Sequence, residues 1–166
     1  MVMGDRFWPM KKLPTPTLDT PSFDDLRRIF ADLEPDGAPR WGKMDRVQMV
    51  KHCREFIDLY QGRIPTSFVF RILARMIGGV FLKKVLSKSP LEAPKDMGTI
   101  PAIRAKQGQP LEFESEVRQL LDGFSEIEAL AGQVHHPLYG PTHCEDIQSL
   151  VRHHTAHHAN QFGLLG

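Results

Sequence analysis

Apolar residues return at intervals of three and four along five stretches of this chain, and no stretch alternates them convincingly in twos. A period near 3.6 buries one face of an α-helix, whereas a half-buried strand needs a period of 2. The chain therefore reads as an all-α bundle. The first stretch is SFDDLRRIFADLE, in which Phe23, Leu26, Ile29, Phe30 and Leu33 share a face. Ser22 with Asp25 three residues later gives it a reciprocal N-terminal cap. DRVQMVKHCREFIDLYQG follows and stops at Gly62. Residues 67 to 86 are apolar on most sides, which predicts the most buried helix, with Gly78 and Gly79 marking a close contact or a kink. The fourth stretch is EFESEVRQLLDGFSEIEALAGQV. The last runs from a Thr142/Glu145 capping box to Gly163.

Between helices three and four, residues 87 to 111 carry Pro, Gly and charge without periodicity. So long a connection in a small domain is a crossover, a lid or a disordered loop. Residues 1 to 21, with Pro9, Pro14, Pro16 and Pro21, read as an extended lead-in, and residues 22 to 166 as one domain.

Charge narrows the function. Lys and Arg number 21 against 20 Asp and Glu, with no block of one sign, which argues against an electrostatic partner such as nucleic acid or a membrane surface. Cys53 and Cys144 stand far apart, without a CxxC, and suit a reducing cytoplasm rather than a disulfide framework. Cys53 reads as a core thiol; Cys144, in the first turn of the last helix, has a place where the dipole favours a thiolate. No apolar run reaches the ~20 residues of a membrane span. An apolar third helix also suits pairing into a homodimer.

Histidine is the departure from the average. Of eight, four fall within residues 153 to 158. At ~100° per residue, Ile147, Val151, His154, His158 and Gln161 lie on one stripe, while His153 and His157 belong to a flanking face. Imidazoles four apart on a helix can close on one ion at ~2.1 Å. The opposing reading is that histidines near a helix C-terminus answer the helix dipole. Two imidazoles on a core stripe need a partner, and no acid follows Asp146 on that stripe. A third ligand would come from His52, His135, His136 or His143, and His52, mid-helix between Met49 and Phe56, is the best placed.

A histidine midway along an early helix and a late helix reading H-x-x-H-H-x-x-Q, here His154 to Gln161, resemble the DinB-like superfamily of metal-binding helical bundles. WGKM at 41 to 44, M-x-x-H-C at 49 to 53, HPLYG at 136 to 140 and HHANQFG at 157 to 163 look like a branch of it known only as a domain of unknown function. The resemblance spans Ser22 to Gly163. It departs from the family at Asn160, where Gly is frequent, and in the additional His153. It implies a four-helix bundle with a long crossover and a divalent ion held by His52, His154 and His158; a His153/His157 pair is the alternative. Imidazole accepts zinc, nickel, iron or manganese, with zinc the default. Three such ligands leave a position for water or a small-molecule substrate. The superfamily further implies a transferase or isomerase that uses a low-molecular-weight thiol. Metal-dependent hydrolysis with Glu55 as base, or a non-catalytic, stress-associated metal bundle, are the other readings. Glu55 reads more readily as an ordinary solvated charge than as that base; Trp41, His136 and Tyr139 are placed to line a pocket mouth or, more commonly for loop aromatics, to plug the bundle's ends, and Gln161 is a further pocket candidate.

Overall fold

The computed structural model describes residues 20–95, 98–105, 110–136 and 139–165. Most of the expected N-terminal lead-in, parts of the connection at 87 to 111 and part of the HPLYG motif lie outside them. Among the described residues there are five α-helices: α1 (Phe23–Ala31), α2 (Arg46–Tyr60), α3 (Phe68–Leu86), α4 (Phe113–Glu128) and α5 (Cys144–Gln161). A short antiparallel hairpin, β1 (Gln133–His136) and β2 (Gly140–His143), joins α4 to α5.

Local chemistry fixes the starts. Ser22 accepts from the Asp25 backbone N–H at 3.1 Å while the Asp25 carboxylate accepts from the Ser22 N–H, as the S-x-x-D spacing predicts. Asp45 and Gln48 form the same reciprocal cap on α2. α5 differs from the expected Thr142 cap. Thr142 belongs to β2, its hydroxyl donates to the Gly140 carbonyl, and the helix begins one residue after His143 without a side-chain cap. The hairpin explains this: the Cys144 N–H donates instead to the Gly132 carbonyl at 3.1 Å, and Glu145 and Asp146 supply negative charge to the first turn.

Helices α1, α2, α4 and α5 pack around a core that includes Leu26, Phe30, Met49, Ile57, Leu120, Phe124, Ile127 and Val151. Gly123 permits a close approach of α4 to α2, since a Cβ there would sit 3.1 Å from the Ile57 side chain. Arg54 of α2 adds a charged tie, donating to Glu116 of α4 at 2.7 Å and to Asp58 at 2.5 Å.

Helix α3 corrects the expectation of greatest burial. Phe68, Val69, Met76 and Val80 are 68%, 74%, 75% and 73% exposed, and α3 meets the core through Phe70, Ala74 and Leu86. The four other helices already enclose a core, so a helix apolar all round has only one side to give it. Gly78 is buried, as a close-contact glycine should be: a Cβ there would come within 2.5 Å of the Tyr139 ring.

Candidate metal centre

His52 stands in the middle of α2, and His154 and His158 one turn apart near the end of α5. The packing of α2 against α5 brings the three rings together. Ring centroids are 5.0 Å apart for His52 and His154, 4.8 Å for His52 and His158, and 4.6 Å for His154 and His158. One nitrogen from each lies within 4.8 Å of the other two. Three nitrogens bound tetrahedrally at ~2.1 Å from one ion stand ~3.4 Å apart, so the set needs to contract by at most ~1.4 Å to hold a divalent cation.

The protein fixes which nitrogen carries the proton. The His52 Nδ1 is 2.9 Å from the Ile103 carbonyl oxygen. A carbonyl only accepts, so Nδ1–H donates and Nε2 keeps its lone pair. His158 is set by two steps. The Gln161 amide NH2 donates to the Trp41 carbonyl at 2.7 Å, which turns its Oε1 toward His158 Nδ1, 2.8 Å away. His158 therefore also donates from Nδ1 and keeps the lone pair on Nε2. Hydrogen bonds of this kind orient imidazole ligands in metal sites and raise their basicity. His154 has no such partner: its Nδ1 is buried and unbonded, and its ring is held by stacking on Phe56, centroids 3.6 Å apart and planes within 2°. An unpartnered buried imidazole nitrogen is costly, and an ion within the cluster is the partner its chemistry fits.

Burial pushes all three imidazoles below their usual range, His154 and His158 furthest; repulsion from other cluster histidines adds to the effect at those two, while at His52 the bond to the Ile103 carbonyl partly opposes it. Neutral rings are the form that binds a metal.

His153 and His157 turn the other way. His153 Nε2 donates to the Lys88 carbonyl at 3.0 Å and His157 Nδ1 to the Pro90 carbonyl at 3.3 Å. Among the described residues they are not part of the three-nitrogen cluster. The described part of the connection after α3 is thus more than a free loop. Through Lys88, Pro90 and the Ile103 carbonyl in a 3-10 turn (Pro101–Ile103), it is anchored on the histidines of α2 and α5.

A cavity of about 450 Å³ opens beside the cluster. Trp41, Tyr139 and Gln161 line it, together with Gln48, Phe56, Tyr60 and Ile100, which sequence reasoning did not single out. Their register was the available signal, since Gln48 and Phe56 lie four residues to either side of His52 on α2. Glu55 and His136 do not line it. The Glu55 carboxylate pairs with Lys51 along α2. His136 packs behind the wall, its ring 4.3 Å from that of Tyr60 and stacked 4.5 Å from that of Tyr139. Cys53 is fully buried, and desolvation raises its thiol pKa.

His136 gives a pH dependence that does not involve the cluster. Its Nδ1 accepts the Tyr139 backbone N–H at 3.1 Å, and burial lowers its pKa from 6.5 to about 3. The unfolded chain takes up this proton below about pH 6.5 and the folded chain does not, so stability is full above that value and falls as the pH drops toward 3. Between pH 7 and 5 the expected loss from this residue is about 2 kcal/mol. Urea unfolding across that range tests it: His136→Phe should flatten the slope by that amount, and an unchanged slope would contradict the assignment.

Compared with family models, with curated proteins and with solved structures, the chain matches none.

Proposed function

We propose that this protein is a DinB-like, divalent-metal-dependent enzyme in which His52, His154 and His158 hold the ion and the adjoining cavity admits a small-molecule substrate. The observation that carries the reading is the convergence of three imidazoles, those of His52 and His158 buried and that of His154 half-buried, two with their tautomers set by hydrogen bonds, beside a cavity. No fourth His, Cys, Asp or Glu joins them among the described residues. A structural site is closed by four protein ligands, whereas a catalytic one keeps a position open. A divalent ion there, zinc by default, supplies a Lewis acid able to acidify a water or a thiol near neutral pH.

Two chemistries follow, and the cavity favours one. Hydrolysis calls for a general base within reach, yet among the described residues no Asp or Glu lines the cavity, and Glu55 is engaged with Lys51. Transfer or isomerisation through a low-molecular-weight thiol needs no carboxylate, since the ion itself stabilises the thiolate. Gln161, Trp41 and Ile103 hold the ligand rings in place, and Phe56, Tyr60 and Tyr139 keep water from the cavity's inner wall.

Cobalt substitution tests this reading. The cobalt-loaded protein should show visible bands of a four-coordinate, nitrogen-rich site, and glutathione, bacillithiol or mycothiol should add a sulfur-to-cobalt charge-transfer band. Cobalt bands that no thiol perturbs would overturn the thiol chemistry; absence of stoichiometric cobalt uptake would overturn the metal centre itself.

A further inference from the structure

The chain as a whole is electrically balanced, with 21 Lys and Arg against 20 Asp and Glu. The cavity is not. Lys43 and Arg104 line it, and among the described residues no acidic side chain does. Neither cation is engaged in an ion pair among the described residues. Two acids of α2 and its cap are committed elsewhere: Asp45 caps the helix by accepting the Gln48 N–H, and Glu55 pairs with Lys51. A third cation, Lys95, sits over the Trp41 ring, 4.8 Å from its centroid, so its charge also stands at the cavity wall. Exposed lysines are ordinary; a cavity whose formal charges among the described residues are all positive, in a chain of balanced charge, is not. Low-dielectric walls concentrate such a field on whatever enters. The lining also has an apolar, aromatic part, formed by Phe56, Tyr60 and Tyr139.

We infer that the cavity binds an anionic small molecule with a flat apolar body, its carboxylate or similar anionic group held by Lys43 and Arg104 and its body laid against Tyr60 and Tyr139. This deepens the metal-enzyme reading by naming the substrate class, and it rests on that reading only for what happens at the buried end. The rim cations act whether or not an ion is bound, so the two can fail separately. A thiol substrate would meet the cluster with its sulfur while its anionic end stayed at the rim.

The test compares 4-phenylbutanoate with its neutral isostere 4-phenylbutanamide, by calorimetric titration into chelator-treated, metal-free protein and again into zinc-loaded protein. In the metal-free protein, where no carboxylate can bind an ion, the acid should bind about tenfold more tightly than the amide at low salt, equivalent to ~1.4 kcal/mol. The preference should shrink as salt rises, because the rim is exposed. Lys43→Ser and Arg104→Ser together should abolish it while leaving helicity and zinc uptake unchanged, and each alone should remove part. Equal affinity for acid and amide overturns the inference, as does failure of both to bind, or a preference that survives the double substitution. Failure of the native chain to take up zinc overturns the metal centre instead, leaving the metal-free comparison to judge the anion site.

Discussion

His154→Ala and His158→Ala should each abolish stoichiometric divalent-metal binding, His52→Ala should weaken it severely, and His153→Ala should leave it intact. The two outer results follow from geometry. His154 and His158 come from one rigid helix, one turn apart, and share the cluster with His52 across the α2–α5 interface. Loss of either leaves two ligands on two different helices, which retain little of the chelate. Loss of His52 leaves an i, i+4 pair on a single helix that can still bind weakly. His153 is buried too, but its Nε2 is spent on the Lys88 carbonyl, so its removal disturbs the connecting segment and not the ion. Elemental analysis of protein purified without a chelating tag reads all four. An ion lost by His153→Ala and kept by His154→Ala would reverse the assignment. Thermal unfolding supplies a control, because a ligand at 1,000 times its Kd stabilises by about 4 kcal/mol; zinc should raise the Tm of the native chain and of His153→Ala but not of His154→Ala.

How far the sequence alone carries one to this site depends on which interactions leave a trace in side-chain identity. The stripe joining Ile147, Val151, His154 and His158 is visible because helical period alone puts these residues on one face, and all but His154 are fully or almost fully buried. The cap at Ser22 is equally local; the one at Asp45 is local too but is seen only in the structure. Helix α3 misleads for the complementary reason: hydrophobicity reports what a residue prefers to contact, and whether the fold supplies that contact is a property of the other four helices. The hairpin of four-residue strands is too short for alternation to register, and once formed it takes over the capping of α5 through the Gly132 carbonyl. The largest omission is the connection after α3. It acts through the backbone carbonyls of Lys88, Pro90 and Ile103, and every residue type carries the same carbonyl, so no sequence pattern announces it.

Gln161→Leu should weaken zinc binding by about 10- to 100-fold, the usual cost of removing a hydrogen-bond partner of a metal-ligating histidine, although Gln161 is not counted among the ligands. Its amide spans two groups that cannot satisfy each other: the Trp41 carbonyl, which only accepts, and His158 Nδ1, which must donate for Nε2 to face an ion. Leucine has nearly the same volume and serves neither. The freed imidazole can then exchange tautomer and rotate, and the Trp41 carbonyl loses its donor, so a stability loss of about 1 to 3 kcal/mol accompanies the weaker binding. Gln161→Glu separates the two effects. A carboxylate still accepts from His158 Nδ1 and orients the ring, but it cannot donate to Trp41, so zinc affinity should hold near the native value while the segment around Trp41 loosens, seen as faster amide exchange there. Competition with a chromophoric zinc chelator measures both affinities. If Leu and Glu weaken binding alike, the glutamine is holding Trp41 and not the imidazole, and the orientation assigned to His158 falls.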